Sequence, residues 1–308
     1  MQGSDNISSQ LNWSLPGWTL QRGISISPSE LQSAERELWR DQLGQLAVSE
    51  SSQAESTSYR IRLIGQVAVD VAFSQRLLVE RPASSAISTE TLDHFLADQV
   101  LPRILAHEGR LVLHAGAIKR SGSAIVFLGQ SGRGKSTLVA SLDQAGFTLI
   151  GDDALIVSRE DQAFCIRAVY PSLRLLPDSL EALFQHRPAT SEVAHYSSKQ
   201  RIDVPIAPDH DAAPLPIAAI FSLAEPSLDG EIRLRPMSPA ETCIALITNS
   251  FALDPTDREL GRKKLEDASR LANAVPAFEI SYPRDYARLP DVHAAIFKQV
   301  AETGLAKP

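Results

Sequence analysis

The sequence has few of the features that mark specialised protein classes. Its 308 residues include 2 cysteines, Cys165 and Cys243, with no CxxC pair and no Cys/His cluster. We therefore predict no cysteine-based metal site and expect two buried free thiols in a reducing compartment. No apolar run reaches the roughly 20 residues that a membrane-spanning helix needs. No basic-then-apolar stretch opens the chain, so we expect no signal peptide, no membrane insertion and a cytoplasmic location.

An excess of positive charge is also absent. Lysine and arginine number 30 against 37 aspartate and glutamate residues, which gives a formal net charge of -7. Proteins that bind nucleic acid generally carry a basic face, so we expect no nucleic-acid partner. Hydrophobic residues make up 44% of the chain. A sizeable core is therefore expected, within one large domain or two modest ones.

The pattern along the chain predicts a mixture of helices and strands. Residues 27–47 have the spacing of a capped amphipathic helix, and the polar stretch 49–58 is typical of a loop. Residues 59–73 alternate and are rich in β-branched residues, which predicts one or two strands. Residues 88–109 predict a helix that begins after Ser88 and is kinked at Pro102. We place one domain boundary near residue 87.

From residue 110 onward, strand-like runs dominate the first part and helical spacing the last. Two runs flank Ser121-Gly122-Ser123, which predicts a β-hairpin. Strands are also expected near 147–151, 154–160, 163–170, 217–225 and 231–237, with helices after the hairpin, at 177–185 and from about residues 238, 257 and 290. The polar stretch 186–201 separates two of these groups.

A glycine-rich loop follows the second strand of the predicted hairpin. Gly129, Gly134, Lys135 and Ser136 fit the pattern G-x-x-x-x-G-K-[ST] in full. In such loops glycines let successive backbone N–H groups point at phosphate oxygens, and the start of the next helix adds to that field. The lysine reaches the β and γ phosphates, and the serine hydroxyl can bind Mg²⁺. We predict the following nucleotide-binding residues: Gly129, Gln130, Ser131, Gly132, Arg133, Gly134, Lys135, Ser136 and Thr137.

Two adjacent carboxylates follow the next predicted strand. Asp152 and Asp153 come directly after Phe147–Gly151, one helix beyond the loop. If the strands that precede the loop and the aspartates are parallel neighbours, their ends meet beside the phosphates. One carboxylate can hold Mg²⁺ and the other can accept a proton from an attacking hydroxyl.

His114 is a further candidate, in the strand-like run LVLHAGA. A lone histidine among apolar residues is usually a core residue. Its hairpin partner leads directly into the glycine-rich loop, however, so the imidazole is expected near the γ-phosphate, where it can stabilise developing charge.

Taken together, the three features resemble the catalytic domain of HPr kinase/phosphorylase, the bacterial serine kinase of the phosphotransferase carrier protein HPr. A histidine before a hairpin, a GxSGxGKS-type loop, a helix and a strand ending in Asp-Asp occur in that order from Leu113 to Val157. The resemblance is strong over the middle third and weak to about residue 300. It implies an α/β fold with a P-loop kinase core of the HPr kinase/phosphoenolpyruvate carboxykinase type, a mixed sheet flanked by helices, and an N-terminal α/β extension.

By this resemblance, Lys135 polarises the phosphates, Ser136 and Asp152 hold the metal, Asp153 is the base and His114 lies near the transferring phosphoryl group. ATP and Mg²⁺ are the implied cofactors. Residues 1–87 are expected to dock a substrate or to add strands to the core, and residues 88–308 to form the catalytic domain. The family's downstream glutamate with an Arg-Gly-rich stretch is absent, so the resemblance does not extend to the phosphate-consuming reverse reaction or to a hexamer.

The chain is more similar to HPr-kinase-related proteins found outside sugar regulation, some beside peptide-modifying genes. A peptide or small-protein substrate is therefore expected, and a homo-oligomer stays open. Three basic residues downstream of the aspartates are candidates for phosphate or substrate contacts: Arg174, Lys199 and Arg201. The last two lie in a polar segment, 196–205, that could act as a mobile lid.

Two other functions remain open at this point. The first is a nucleotide-dependent switch or ATPase without phosphotransfer, and the second is a small-molecule kinase. A potential base, Asp153, beside the metal site favours the serine kinase, because a switch requires a water-positioning group and movable loops instead.

Overall fold

The computed structural model shows two compact units. The first contains the described residues up to His107 together with Ala252–Gly261, and the second contains Glu108–Phe251 and the described residues from Arg262 on. The first unit thus extends past residue 87 and includes the helical segment that follows it, while the roles expected of the two regions stay predictions. The structure describes residues 15–23, 36–53, 56–170, 173–184, 186, 188, 190–194, 197–202 and 213–303.

The first unit is built on a six-stranded sheet. Its strands are β1 (Thr19–Gln21), β2 (Arg36–Arg40), β3 (Leu46–Gln53), β4 (Ser56–Leu63), β5 (Val67–Ala72) and β6 (Leu77–Pro82). Their order is β1-β6-β5-β4-β3-β2, and all pairs are antiparallel except the parallel β1–β6 pair. The predicted strands at 59–73 are confirmed as most of β4 and all of β5.

A helical segment completes this unit. It comprises α1 (Thr89–Phe95), a π-helical turn (Leu96–Val100) and α2 (Leu101–His107). The Ser88 side chain accepts a hydrogen bond from the backbone N–H of Thr91 and so caps the start of α1, as the sequence predicts. The π-helical turn ends two residues before Pro102, where the sequence predicts a kink, and the kink itself stays a prediction.

Two sequence-based expectations in this unit are wrong. Residues 36–40 and 46–47, predicted as part of a helix, belong to β2 and β3, and residues 24–35 lie outside the described residues. The described residues of the predicted loop at 49–58, which are 49–53 and 56–58, belong to the facing ends of β3 and β4. Pairing with β4 buries Ala47 and Val48 completely. Long-range burial of this kind overrides local helix propensity.

The second unit contains a nine-stranded mixed sheet and a separate three-stranded sheet. The strands of the large sheet are β7 (Leu111–Leu113), β8 (Gly116–Arg120), β9 (Ser123–Leu128), β10 (Thr148–Gly151), β11 (Leu155–Glu160), β12 (Ala163–Ala168), β16 (Leu215–Leu223), β17 (Arg233–Pro236) and β18 (Ala277–Ser281). The small sheet contains β13 (Arg174–Leu175), β14 (Thr190–Ala194) and β15 (Ser197–Ile202). The large sheet has the order β10-β8-β9-β16-β12-β11-β7, and β18 pairs with both β16 and β17.

Helices cover both faces of the large sheet. They are α3 (Lys135–Gln144), α4 (Pro177–Leu183), α5 (Pro239–Thr248), α6 (Arg258–Ala274) and α7 (Leu289–Glu302). One core cluster joins Ile118, Ile125 and Phe127 to residues of α3 and α7. The cluster on the other face joins Ala117 and Val126 to residues of α5 and α6. Strands buried on both faces become continuous hydrophobic runs, as in SAIVFL of β9. The mixed α/β fold with flanking helices is therefore as predicted.

The β8–β9 hairpin has a two-residue connection, Ser121-Gly122. Both residues have positive φ, 49° and 77°. Primed turns with this feature match the right-handed twist of the flanking strands. The register pairs Gly116 with Phe127 and Arg120 with Ser123.

Other parts of this unit add to the predicted elements. The polar stretch at 186–201 contains most of the β14–β15 pair, and the described part of the predicted lid, 197–202, is strand β15, so a lid role stays a prediction. Strand β18 was not predicted.

Cys165 is buried and Cys243 is partly buried, and both are free thiols. Within the described ranges, no helix combines the length and apolarity needed to cross a membrane.

Candidate functional site

The glycine-rich loop joins the end of β9 to the start of α3. Gly134 precedes the helix with φ of 92°, a value that L side chains rarely adopt, and no side chain caps the helix start. The first N–H groups of α3 therefore face outward without a side-chain acceptor, next to the positive end of the helix dipole. This arrangement is suited to bind an anion such as a phosphate.

Lys135 is the first residue of α3 and is 5% exposed. Its ammonium group donates a hydrogen bond to the backbone carbonyl of Gly129 at 2.5 Å, across the loop. Burial lowers the pKa of Lys135, although Asp152 and Asp153 oppose that shift. The charge of the lysine is thus held within the loop by its own backbone and by the two carboxylates.

The two aspartates follow β10 and are both buried, Asp152 at 1% and Asp153 at 5% exposure. Asp153 has φ of 83°, which is uncommon for a residue other than glycine. Such left-handed backbone is tolerated by aspartate and often occurs where a functional side chain has to be redirected. The structure therefore brings both carboxylates into the interior directly after the strand ends.

The sheet brings the aspartates to the loop by a different route from the one expected. Strands β9 and β10 are not neighbours, because β8 lies between them and is antiparallel to both. Strands β9 and β10 therefore run in the same direction with β8 between them. Their carboxyl ends lie on either side of the first residues of β8. The predicted proximity is observed, but the predicted parallel pairing is wrong.

A glycine at the start of β8 makes this approach possible. A Cβ atom added to Gly116 would lie 2.7 Å from Cγ2 of Val139 in α3 and 3.3 Å from Oδ1 of Asp152. The first distance is shorter than real Cβ contacts allow. Strand β8, helix α3 and the first carboxylate can thus pack this closely only because residue 116 lacks a side chain.

The sequence predicted His114 within a strand. The structure instead places it between the end of β7 and the start of β8. The hairpin register ends at the pair Gly116–Phe127, which lies two residues from His114 on one strand and two residues from Gly129 on the other. Asn249 links His114 to Gly129. Its backbone carbonyl accepts a hydrogen bond from the backbone N–H of His114 at 2.6 Å, and its side-chain oxygen accepts one from that of Gly129 at 3.3 Å. Asn249 therefore joins the segment that contains His114 to the first residue of the glycine-rich loop.

Asp153 is the centre of the charged network. Its Oδ1 lies 3.3 Å from Nε2 of His114, and its Oδ2 accepts hydrogen bonds from Nε of Arg174 at 2.8 Å and from the same guanidinium's terminal nitrogen. Arg174 is 5% exposed, so the ion pair is buried. Burial alone would raise the pKa of Asp153, but Arg174 and the hydrogen bond from His114 hold it well below its usual range.

Asp152 has the opposite electrostatic character. Burial and the neighbouring Asp153 raise the pKa of Asp152 to about 6, against the pull of Lys199 and of a hydrogen bond with Ser136. Two adjacent carboxylates thus differ in proton affinity, because one is matched by a buried arginine and the other lies beside a like charge.

His114, Lys135, Asp153 and Arg174 line a cavity of about 300 Å³ in the second unit, whereas Asp152, predicted to hold the metal, does not. Of the predicted nucleotide-binding residues, Ser131 to Thr137 line it, whereas Gly129 and Gln130 do not. The predicted contact residues Arg174 and Lys199 line it as well. Arg201 does not, although it pairs with Arg174 in register between β13 and β15. Arg133 forms an ion pair with Glu225.

The sequence reading missed one wall of the cavity. Residues Tyr282 to Tyr286 and Leu289, between β18 and the start of α7, lie more than 145 positions after the loop and line the same cavity. The Arg284 guanidinium donates to the backbone carbonyl of Gly132 at 2.6 Å. The motif YPRDY, with two aromatic and two oppositely charged side chains before a helix, was a signal that could have marked this segment.

A second missed group lies at the beginning of α4. The Thr137 hydroxyl lies 3.0 Å from the hydroxyl of Ser179, which in turn lies 3.2 Å from that of Tyr286. The Tyr286 hydroxyl also donates to Oδ2 of Asp178 at 3.3 Å. A chain of hydrogen bonds thus connects the first turn of α3 to both later segments.

Comparison with known proteins adds little. No protein-family model matches the chain. No curated protein matches it either. Among solved structures, the HPr(Ser) kinase/phosphatase from Coxiella burnetii is similar with a TM-score of 0.32 and 15% sequence identity, over 61% of this chain and 97% of that one. A similarity this low does not transfer an activity, a substrate or a site residue to this chain.

Proposed function

We propose that the chain is an ATP- and Mg²⁺-dependent kinase that transfers the γ-phosphoryl group to a serine hydroxyl of a peptide or small protein. One observation carries the proposal. A buried carboxylate, Asp153, faces the phosphate-binding loop and is held there by an arginine and a histidine. Phosphoryl transfer needs this combination of positioning and positive charge beside a proton acceptor.

The loop and Lys135 act on the donor. The unpaired N–H groups at the start of α3 bind phosphate oxygens, and the Lys135 ammonium neutralises charge on the β and γ phosphates. In the present state that ammonium contacts the carbonyl of Gly129. Binding of a triphosphate replaces one partner of the lysine with a charged oxygen, which is the stronger acceptor.

The residues present suit a magnesium ion. Ser136 offers a hydroxyl and Asp152 offers a carboxylate, and both are hard oxygen donors. Magnesium is commonly held by one or two carboxylates together with substrate phosphates. Bound between these side chains, it would neutralise charge on the phosphates during transfer. Opposite charge beside Asp152 also favours its ionised form.

Asp153 is assigned as the proton acceptor. In the transfer step the bond from the γ phosphorus to the bridging oxygen of ATP breaks, and a bond from the serine Oγ to phosphorus forms. The serine proton passes to Asp153, and ADP leaves. A carboxylate of low pKa is a weak base. A loose transition state requires little proton removal before the phosphorus–oxygen bond is nearly broken, so a weak, well-placed base can suffice.

The same ion pair favours a second candidate function, an ATPase or nucleotide-dependent switch. Both oxygens of Asp153 are already engaged, one by Arg174 and one by His114. A carboxylate so occupied can serve to orient a water molecule or to hold Arg174 against a phosphate. Transfer to a protein acceptor requires that His114 or Arg174 shift when the acceptor binds.

The experiment that separates these functions follows label from [γ-³²P]ATP with Mg²⁺ into acid-stable protein or peptide, acid-soluble small molecules and free phosphate. Purified protein and lysate of the source cells supply acceptors, and Lys135→Ala is the negative control. We expect a labelled protein or peptide band that Lys135→Ala does not produce. Asp153→Asn should lower transfer about 10²- to 10⁴-fold and retain ATP binding. Label found only in free phosphate would support the ATPase, and acid-soluble product a small-molecule kinase.

The acceptor's identity, the oligomeric state and the cytoplasmic location stay predictions. A docking role for the first unit is likewise a proposal. It could be tested by asking whether the second unit alone, if it folds, loses affinity for the acceptor but retains affinity for ATP.

A further inference from the structure

We propose that the end of the cavity formed by Leu176, Asp178, Ser179 and Tyr286 binds the nucleoside part of the donor, with the Tyr286 ring as the stacking surface for the base. The inference deepens the proposed function and rests on it, because it requires that the loop bind the phosphates of a nucleotide.

The direction of the bound triphosphate follows from the loop. Lys135 contacts the β and γ phosphates, and Asp153 marks the side on which the γ-phosphoryl group leaves. The α phosphate then lies further along the start of α3, toward Ser136 and Thr137. The nucleoside has to leave the loop on the Thr137 side, away from Asp153 and His114.

The structure shows what lies on that side. The Thr137 hydroxyl is 3.0 Å from the Ser179 hydroxyl, and Ser179 is 3.2 Å from the Tyr286 hydroxyl. Leu176 and Tyr286 line the same cavity. Three hydrogen-bonded positions therefore lead from the phosphate end of the cavity to its aromatic wall.

This wall of the cavity carries accessible apolar surface. Leu176 is 42% exposed and Tyr286 is 39% exposed, and both line the cavity. The rim of the Tyr286 ring is anchored, because its hydroxyl bonds to Asp178 and Ser179. A partly exposed aromatic ring that is fixed at its polar edge offers a sequence-tolerant stacking surface for a flat base.

Polar groups at the same end suit a nucleoside. Asp178 accepts hydrogen bonds from the Tyr286 hydroxyl and from the backbone N–H of Ser179, at 3.3 and 2.9 Å. An ionised carboxylate accepts up to about four hydrogen bonds, so acceptor capacity is left for an exocyclic amine of a purine or a ribose hydroxyl. The combination of an apolar face and a carboxylate thus selects a nucleoside over a bare polyphosphate.

The test compares two ligands that share the phosphates and differ in the nucleoside. Binding of MgATP and of magnesium tripolyphosphate is measured by calorimetry for the whole chain and for Tyr286→Ala, Tyr286→Phe and Leu176→Ala. Leu228→Ala is the matched control, because Leu228 is fully exposed and does not line the cavity. Retained tripolyphosphate binding also shows that a variant is folded.

We expect Tyr286→Ala to weaken MgATP binding about tenfold to a hundredfold and to leave tripolyphosphate binding unchanged. Leu176→Ala should have a smaller effect in the same direction, and Tyr286→Phe should stay within about threefold of the wild type, since it retains the ring. The inference is overturned if Tyr286→Ala binds MgATP as the wild type does, or if both ligands weaken equally. Wild-type protein that binds neither ligand would overturn the proposed function itself.

Discussion

Replacing Arg174 by methionine tests the electrostatic design of the site most directly. Methionine keeps much of the length and apolar volume of the arginine but removes the guanidinium that meets Asp153. Asp153 is 5% exposed and would be left as a buried carboxylate that still contacts the His114 imidazole at 3.3 Å. Breaking a buried ion pair by removing one partner costs about 3–5 kcal/mol, far more than the loss of an exposed pair.

The effect should depend on pH in a defined direction. In the wild type the pKa of Asp153 is depressed, so its contribution to stability is present above the unfolded value of 3.8 and is lost as pH falls through the folded value. Without Arg174, burial instead raises the pKa of Asp153. The variant should then be most destabilised near pH 8, and the difference from the wild type should shrink as the pH is lowered toward 4.

Chemical denaturation at pH 8 and pH 5, followed by circular dichroism, measures both effects. The double variant Arg174→Met/Asp153→Asn serves as the control, because it removes both charges together. We expect the double variant to recover at least half of the stability lost at pH 8. A loss below 1 kcal/mol, or a loss that is the same at both pH values, would contradict the view that the pair is buried and charge-matched.

Two further predictions concern packing and a buried acid. Gly116→Ala should lower the free energy of unfolding by about 1–3 kcal/mol, because the added methyl group clashes with Val139. Gly261→Ala should raise it by about 0.5–1 kcal/mol, because Gly261 lies in a helix and its added Cβ would meet no atom within 4 Å. Calorimetric melting of the two variants checks this contrast, and equal shifts in melting temperature would exclude the clash. Burial raises the pKa of Glu80 from 4.5 to about 7, although Arg22 at 3.8 Å attracts the carboxylate. Between pH 4.5 and pH 7 the folded chain therefore retains a proton that the unfolded chain releases, so stability falls as the pH rises through this range. Glu80→Gln should flatten that slope and add about 3 kcal/mol at pH 8, as measured by denaturant unfolding from pH 5 to pH 8; an unchanged slope would show that another group causes it.

The parts of the site that were predictable share one property, which is that their chemistry is local. The loop from Gly129 to Ser136 requires glycines and a lysine at fixed spacing, so the spacing alone identifies it. The hairpin around Ser121-Gly122 is equally local, because its turn geometry selects its residues. The position of His114 followed from that hairpin, although its placement in a strand did not hold.

The parts that were not predictable depend on pairing between distant strands. The wall from Tyr282 to Leu289 reaches the cavity because β18 pairs with β16, which pairs with β9 before the loop. Nothing in the local sequence encodes that order. Likewise, the serine-rich stretch at 49–58 is polar enough for a loop, and only pairing within the first sheet makes its described residues, 49–53 and 56–58, parts of strands β3 and β4.

The two-residue turn at Ser121-Gly122 has a consequence for how this chain can vary. Exposed turns are normally where proteins accept insertions and deletions, because little depends on their length. Here the turn sets the register that pairs Gly116 with Phe127, which lie two residues from His114 and from Gly129, respectively. An added residue would have to be absorbed by a bulge, or it would shift the histidine along the strand relative to the loop. The length of this surface turn is therefore constrained by the site at the far end of the hairpin.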